Sequence, residues 1–273
     1  RVLPDWRLDD LMISFSVPGG GVGPHIDQYD VFIIQGMGSR RWRVGDKLPM
    51  RQFCPHPALL HVDPFPPIID EDLQPGDILY IPPGFPHDGI THETALNYSV
   101  GFRGPNGRDL ISSFADYVLE NDLGGEHYSD PDLTCREHPG RVEEYELERL
   151  RTMMIDMIRQ PEDFKQWFGS FVTTPRHELD IAPAEPPYEE EEVLDALLGG
   201  EKLSRLSGLR VLHIGDSFFV HSEQLDTTDA EALDALCRYT SLGQEELGSG
   251  LQNPAFVSEL TRLINQGYWY FEE

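Results

Sequence analysis

Positive charge is scarce in this 273-residue chain: Lys+Arg 21 against Asp+Glu 48 leaves a net charge of -27. A surface that tracks phosphates needs clustered Lys and Arg, so the balance argues against direct nucleic-acid binding. An acidic surface attracts cationic partners instead. Cysteine is also sparse. Cys54, Cys135 and Cys237 lie far apart with no C-x-x-C pair, which removes the common zinc and dithiol motifs and fits the reduced thiols of a cytoplasmic protein. No apolar run approaches the ~20 residues needed to cross a bilayer, and no signal-like segment opens the chain, so a soluble protein away from membranes is expected. The opening RVLPDWRLDDLMISFSVP leads into a strand with almost no run-up, and an amino-terminal segment of the core is expected to be missing.

What the sequence does hold falls into three stretches. Residues 1–103 carry short runs of β-branched and aromatic residues (LMISFSV, YDVFIIQG, RRWRVGD, GDILYIP, ALNYSVGF) separated by Gly, Pro and Asp. Strands at this spacing predict a barrel or jelly-roll sandwich. Residues 104–178 change to helical periodicity, with apolar stripes (Leu110, Phe114 and Val118; Leu150, Met153, Met154 and Met157) that a small barrel leaves without an evident partner. Pairing of these stripes across a two-fold axis would make the chain a homodimer. The acidic, proline-rich DIAPAEPPYEEEE introduces residues 179–273. There a helix (EEEVLDALLGG), a hairpin turning near Gly215-Asp216 and two further helices are compatible with a winged-helix-like domain. Acidic residues heavily outnumber basic ones in it, so docking is favoured over duplex binding.

The chemistry centres on GPHIDQYD. In an extended segment residues i and i+2 share a face, so His25 and Asp27 can reach one point in space. His87, in DILYIPPGFPHDG, is the best candidate for a third ligand. Two histidines and a carboxylate leave open coordination positions and favour non-haem Fe(II) over a closed zinc site. His56, His61, Asp88 and His92 are better read as solvated or supporting groups. Such an iron commonly takes a 2-oxo acid as cosubstrate, whose far carboxylate needs a cation. Arg40 can bind it bidentately and shares a strand face with Trp42, opposite Arg41. Ser14 and Ser16 share a face of the first strand and could assist that carboxylate, and Asn97 could bond to the chelating end or to an ordered water. Alternation alone does not fix which face of these strands is inward.

GPHIDQYDVFIIQGMGSRRWRVG, LQPGDILYIPPGFPHDG and ALNYSVGF together resemble the JmjC-type Fe(II)/2-oxoglutarate oxygenases, specifically the bacterial ribosomal oxygenases. The resemblance extends through SSFADYVLENDLGGEHYSDPDL and RHELDIAPAEPPY to the terminal GYWYFEE. It implies a mixed β and α protein: a JmjC/cupin-like double-stranded β-helix core, a helical dimerisation region and a carboxy-terminal winged-helix-like domain. It also implies Fe(II) held by His25, Asp27 and His87, 2-oxoglutarate held by Arg40 with Ser14, Ser16 and Asn97 as weaker matches, and O2 as oxidant. The implied reaction is hydroxylation of the β-carbon of an arginine in large-subunit ribosomal protein sixteen, a basic partner suited to an acidic chain. A cupin-like metal-binding or sensor protein without hydroxylase activity and a JmjC lysine demethylase are the competing expectations.

Overall fold

β-Branched and aromatic residues alternating with polar ones suit a pleated, half-buried surface, and the first part of the chain is built from such runs. The structure, a computed structural model, describes residues 4–56, 59–226 and 229–272. It divides into two compact units, one up to Pro105 and one from Asn106.

The first unit holds strands β1 (Leu8–Ser16), β2 (His25–Ile26), β3 (Asp30–Met37), β4 (Arg40–Gly45), β5 (Gln52–His56), β6 (Leu59–Val62), β7 (Pro67–Leu73), β8 (Ile78–Ile81), β9 (Pro86–Thr91) and β10 (Ala95–Phe102). They form two antiparallel sheets, in the orders β1-β10-β3-β8 and β5-β6-β2-β9-β4-β7. Val31 and Ile33 of β3, Trp42 and Val44 of β4, and Leu79 and Ile81 of β8 pack into one buried cluster. These strands come from both sheets, so the cluster lies between them, as in a jelly roll. Towards the other end of the small sheet the inward pairs are Asp10↔Gly101, Met12↔Ser99 and Ser14↔Asn97. These side chains do not fill that space, and a cavity of about 340 Å³ remains.

The runs LMISFSV, YDVFIIQG, RRWRVGD, GDILYIP and ALNYSVGF lie on β1, β3, β4, β8 and β10. The strands without such a run are β2, β5, β6, β7 and β9, and two of these carry the candidate histidines.

The second unit begins with α1 (Gly107–Glu120), α2 (Glu144–Arg159) and α3 (Pro161–Thr173). Asn106 caps α1 by accepting from the Arg108 and Asp109 amides, and Pro161 opens α3, which separates it from α2. Phe114 and Val118 of α1 are buried on Trp167 of α3, with Leu110 and Met157 packed around them. That part of the apolar stripes therefore has its cover within the chain. Leu147, Leu150, Met154 and Ile158 of α2 remain exposed.

After this come α4 (Glu190–Leu198), β11 (Leu203–Arg205), the hairpin of β12 (Val211–Ile214) and β13 (Ser217–Val220), β14 (Glu223–Gln224), α5 (Ala230–Arg238), β15 (Ser241–Leu242), α6 (Gln244–Leu247), α7 (Pro254–Asn265) and β16 (Trp269–Phe271). The hairpin turns at Gly215-Asp216 as the sequence predicts. The terminal WYF leaves the helix and forms β16 beside β11. Gly267, in the left-handed region at φ 81°, makes that turn out of α7. The wing and the helices close on a continuous apolar core that includes Leu197, Leu203, Val220, Leu236, Phe256, Leu260 and Trp269.

Candidate metal centre and cosubstrate cavity

Antiparallel pairing brings the first two histidines together directly. His25 on β2 is the cross-strand partner of His87 on β9, and cross-strand partners share a face. Asp27 follows β2 on the side set by the i, i+2 period. One ligand atom from each of His25, Asp27 and His87 lies within 4.8 Å of the others. The two imidazole centroids are 4.1 Å apart at 60°, and both histidines are buried.

Backbone carbonyls set the tautomers. His25 Nδ1 lies 2.8 Å from the Gly23 carbonyl and His87 Nδ1 lies 3.1 Å from the Phe85 carbonyl. A carbonyl only accepts, so each Nδ1 carries the proton and each Nε2 keeps its lone pair. His87 Nε2 then faces Asp27 Oδ2 at 3.4 Å. Two acceptors at that distance become favourable only with a shared proton or a cation between them. Burial, followed by the charge of His87, lowers His25 to about 4, so it is neutral near pH 7. Burial raises Asp27, but its contact with His87 and the nearness of His25 outweigh it and leave the carboxyl below its usual range. Two imidazoles and a carboxylate with open positions form a donor set suited to a divalent non-haem metal.

The same cavity is lined by Arg40, Trp42, Asn97 and Ser14. Arg40 is 4% exposed, and it donates from Nη1 to Asn97 Oδ1 at 2.7 Å and from Nη2 to the Gly89 carbonyl at 3.0 Å. Both partners are neutral, its Nε has no partner, and no carboxylate lies within ion-pair distance of it among the described residues. Its guanidinium also sits 4.7 Å from the Trp42 ring centroid. Burial lowers its pKa, with only the charge of Asp88 opposing. A buried cation without a counter-charge is costly, and an incoming carboxylate relieves that cost.

The ladder also gives the spacing. The guanidinium lies over Gly89, two residues along β9 from His87, or about 7 Å at the rise of a β-strand. The two carboxylate carbons of an extended five-carbon diacid are about 5 Å apart, at roughly 1.25 Å of advance per carbon–carbon bond. Such a molecule spans from the His-Asp-His group to Arg40.

Other sequence candidates sit elsewhere. Arg41 points outward and binds Asp70 at 2.6 and 3.0 Å. Asn97 is held at the guanidinium end of the cavity and not at the histidines. Ser14 lines the cavity, whereas Ser16 is absent from its lining and its Oγ lies 2.9 Å from Thr91 Oγ1. Asp88 is buried opposite Arg43 on the β4–β9 ladder, and His92 is exposed. His56 ends β5 and its side chain lies outside the described residues.

Sequence reasoning passed over Gly89. A Cβ there would lie 2.8–2.9 Å from the Arg40 guanidinium, and the HDG triplet was the available signal. It also passed over the lining residues Asp10 and Tyr29. Burial, with the charges of Asp27, Asp10 and Asp9, pushes Tyr29 up to about 12, so it remains a neutral phenol.

Comparison with known proteins agrees with this geometry. Residues 1–110 match the JmjC domain and residues 156–270 match the ROXA-like winged helix. The ribosomal protein uL16 3-hydroxylase of Escherichia coli strain K12 is 63% identical over 272 residues, covering 100% of this chain and 73% of that protein. An X-ray structure of E. coli YcfD superposes with a TM-score of 0.95 at 63% identity, covering 99% of this chain and 73% of that one. The structure of that ribosomal oxygenase with cobalt and 2-oxoglutarate gives a TM-score of 0.92 at 60% identity, covering 99% and 72%. Likeness at this level, through both the JmjC domain and the winged helix, shows that the chain belongs to the JmjC-domain ribosomal oxygenases.

Proposed function

We propose that the chain is an Fe(II)/2-oxoglutarate-dependent hydroxylase acting on the β-carbon of an arginine in ribosomal protein uL16. The observation that carries this reading is the buried Arg40 without a carboxylate partner, in the same cavity as His25, Asp27 and His87 and at the spacing of a five-carbon diacid. In this reading His25, Asp27 and His87 hold the metal, and Arg40, with Asn97 fixing its fork, holds the far carboxylate of 2-oxoglutarate. Ser14 is placed to assist. Bound Fe(II), with 2-oxoglutarate and O2, supplies an oxidant that inserts one oxygen atom and leaves succinate and carbon dioxide.

The chain's own residues do the positioning. The Gly23 and Phe85 carbonyls keep each Nε2 free for the metal, and the apolar wall of Trp42, Val31 and Ile33 excludes water. Asp10 and the phenol of Tyr29, on the cavity wall, suit a guanidinium brought in by the substrate. The acidic surface suits a basic ribosomal protein and disfavours direct contact with nucleic acid.

The assembly reading is a homodimer through the helical region of residues 104–178. Leu147, Leu150, Met154 and Ile158, spaced 3, 4 and 4 apart, form an uncovered stripe on α2 that a second copy would cover. A monomeric wild type by light scattering would overturn this. Among the described residues no helix is long and apolar enough to cross a membrane, and a ribosomal substrate supports a cytoplasmic reading.

The deciding experiment incubates the protein with intact uL16, Fe(II), ascorbate and 2-oxoglutarate, then maps mass changes. A gain of one oxygen on an arginine supports the reading. Loss of a methyl group from lysine would mark a demethylase, and no succinate a metal-binding sensor.

A further inference from the structure

We infer that His61 is a positioning residue that clamps the glycine-rich segment between β1 and β2 across the cavity mouth, and thereby sets both the His25 ligand and the wall met by a polypeptide substrate. The inference rests on the proposed reaction and adds a residue outside its metal and cosubstrate sets.

His61 is on β6 directly opposite His25, so His61, His25 and His87 form one row across three strands. Its Nε2 donates to the Val22 carbonyl at 2.8 Å. The next carbonyl along, that of Gly23, accepts from His25 Nδ1 at 2.8 Å. Two successive carbonyls of one segment thus each take a proton from an imidazole, one on a candidate metal ligand and one outside that set. The Val22 side chain lines the cavity.

The rest of the segment shows why the clamp matters. Its early part is tied to β9, with the Gly19 amide donating to the Thr91 carbonyl at 2.8 Å and the Thr91 amide to the Gly20 carbonyl at 3.3 Å. Gly21 packs so closely on the Gly89 carbonyl that a Cβ would lie 2.6 Å from it. Its far end is tied to β6 through the Val62 amide and the Pro24 carbonyl at 3.0 Å. Between these anchors, Gly23 is in the left-handed region at φ 82°, where the chain turns freely. The imidazole of His61 holds this part, and its ring is kept in place by stacking on Phe53 at 5.8 Å and 25°. Without that donor the Val22–Gly23 peptide can rotate, which moves the Val22 side chain and loosens the adjoining Gly23–Pro24 peptide, whose carbonyl orients His25.

The test compares wild type, His61→Ala and His61→Gln, since the Gln amide can reach the Val22 carbonyl as Nε2 does. The first readout is binding of Co(II) alone, followed by its visible absorption. His61→Ala should weaken Co(II) binding by about tenfold, the size expected when the partner of a metal ligand is lost. It should also alter the ligand-field bands, and His61→Gln should restore both. The second readout is turnover on uL16: His61→Ala should raise KM for the protein substrate by about tenfold, leave KM for 2-oxoglutarate unchanged and increase succinate formed without hydroxylation. A folded His61→Ala with wild-type Co(II) spectrum and affinity would overturn the inference. So would a His61→Gln that matches His61→Ala in both. If wild type binds Co(II) yet makes no succinate with uL16, the proposed reaction fails instead, and the Co(II) comparison alone judges His61.

Discussion

The two units bury very different interiors. Among the described residues, the first buries ten hydrophobic side chains together with eight polar or charged ones: His25, Asp30, Gln35, Arg40, His87, Asp88, Thr91 and Asn97. The second buries twenty-seven hydrophobic side chains and only Thr173 and Thr261 of the polar kind. An aliphatic core stabilises in proportion to the apolar area it removes from water, whereas buried polar groups stabilise little and cost heavily when unpaired. The second unit is therefore organised for stability. The first holds groups in place that folding alone would not favour, as expected where a site is prepared for ligands.

The largest test of that contrast replaces a candidate metal ligand. His25→Ala, Asp27→Ala and His87→Ala should each lower succinate formation by at least about 100-fold, while thermal unfolding of the metal-free protein changes little. Near-wild-type activity in any of them would remove that residue from the ligand set. In the opposite direction, Leu236→Ala, in the fully buried core of the winged helix, should cost about 2–5 kcal/mol of that unit's stability in a denaturant titration. Co(II) binding by the first unit should persist at temperatures where the variant is folded.

Next in size is Gly89→Ala. The added methyl would strike the Arg40 guanidinium, so KM for 2-oxoglutarate should rise about tenfold or more with Co(II) affinity unchanged. An unchanged KM would show that the guanidinium can move aside without loss.

Acid should separate the two units more gently. His25 titrates near 6.5 when unfolded and about 4 when folded, so its neutral form contributes fully above pH 6.5. As pH falls from 6.5 towards 4 the unfolded chain takes the proton first, and the first unit should lose at most about 3 kcal/mol. The second buries no histidine or carboxylate among the described residues, and its unfolding should be less sensitive over that window. Equal sensitivity in both would break the comparison. The smallest expected effect is that of Arg41→Ala, whose side chain is exposed on Asp70 and should leave turnover and stability unchanged.

How much of this could be read beforehand follows from what each residue depends on. The His25–Asp27 pair needs only a two-residue period, and Arg40 and Trp42 share a face for the same reason, so their grouping follows from alternation. Ser14 and Ser16 also alternate correctly, yet only Ser14 reaches the cavity. The sequence cannot tell how far along β1 the cavity extends before Thr91 takes over the facing position. The helical stripes were legible only in part, because hydrophobic periodicity shows that a face is covered without naming the cover. For Phe114 and Val118 it is Trp167, 49 residues or more downstream. β2 and β9 carry no alternating apolar pattern because their inward positions are given to histidines, and the same chemistry that marks the site hides its strands. His61 was set aside for a related reason: its importance lies in a carbonyl 39 residues away, a relation that only pairing reveals.

That His25 and His87 are opposed partners on one antiparallel ladder has a consequence for how this protein can change over time. The separation of the two imidazoles is set by strand register and not by any connecting loop. Insertions in the long turn between β4 and β5, or at the Gly76 turn before β8, should be accepted without touching the histidines. A single residue inserted in β9 ahead of His87 would instead turn its imidazole to the opposite face and leave Asp88 inward. Lineages descending from this fold should therefore differ freely in loop length while keeping the count of residues within β2 and β9 fixed, and a length census across them would show whether they do.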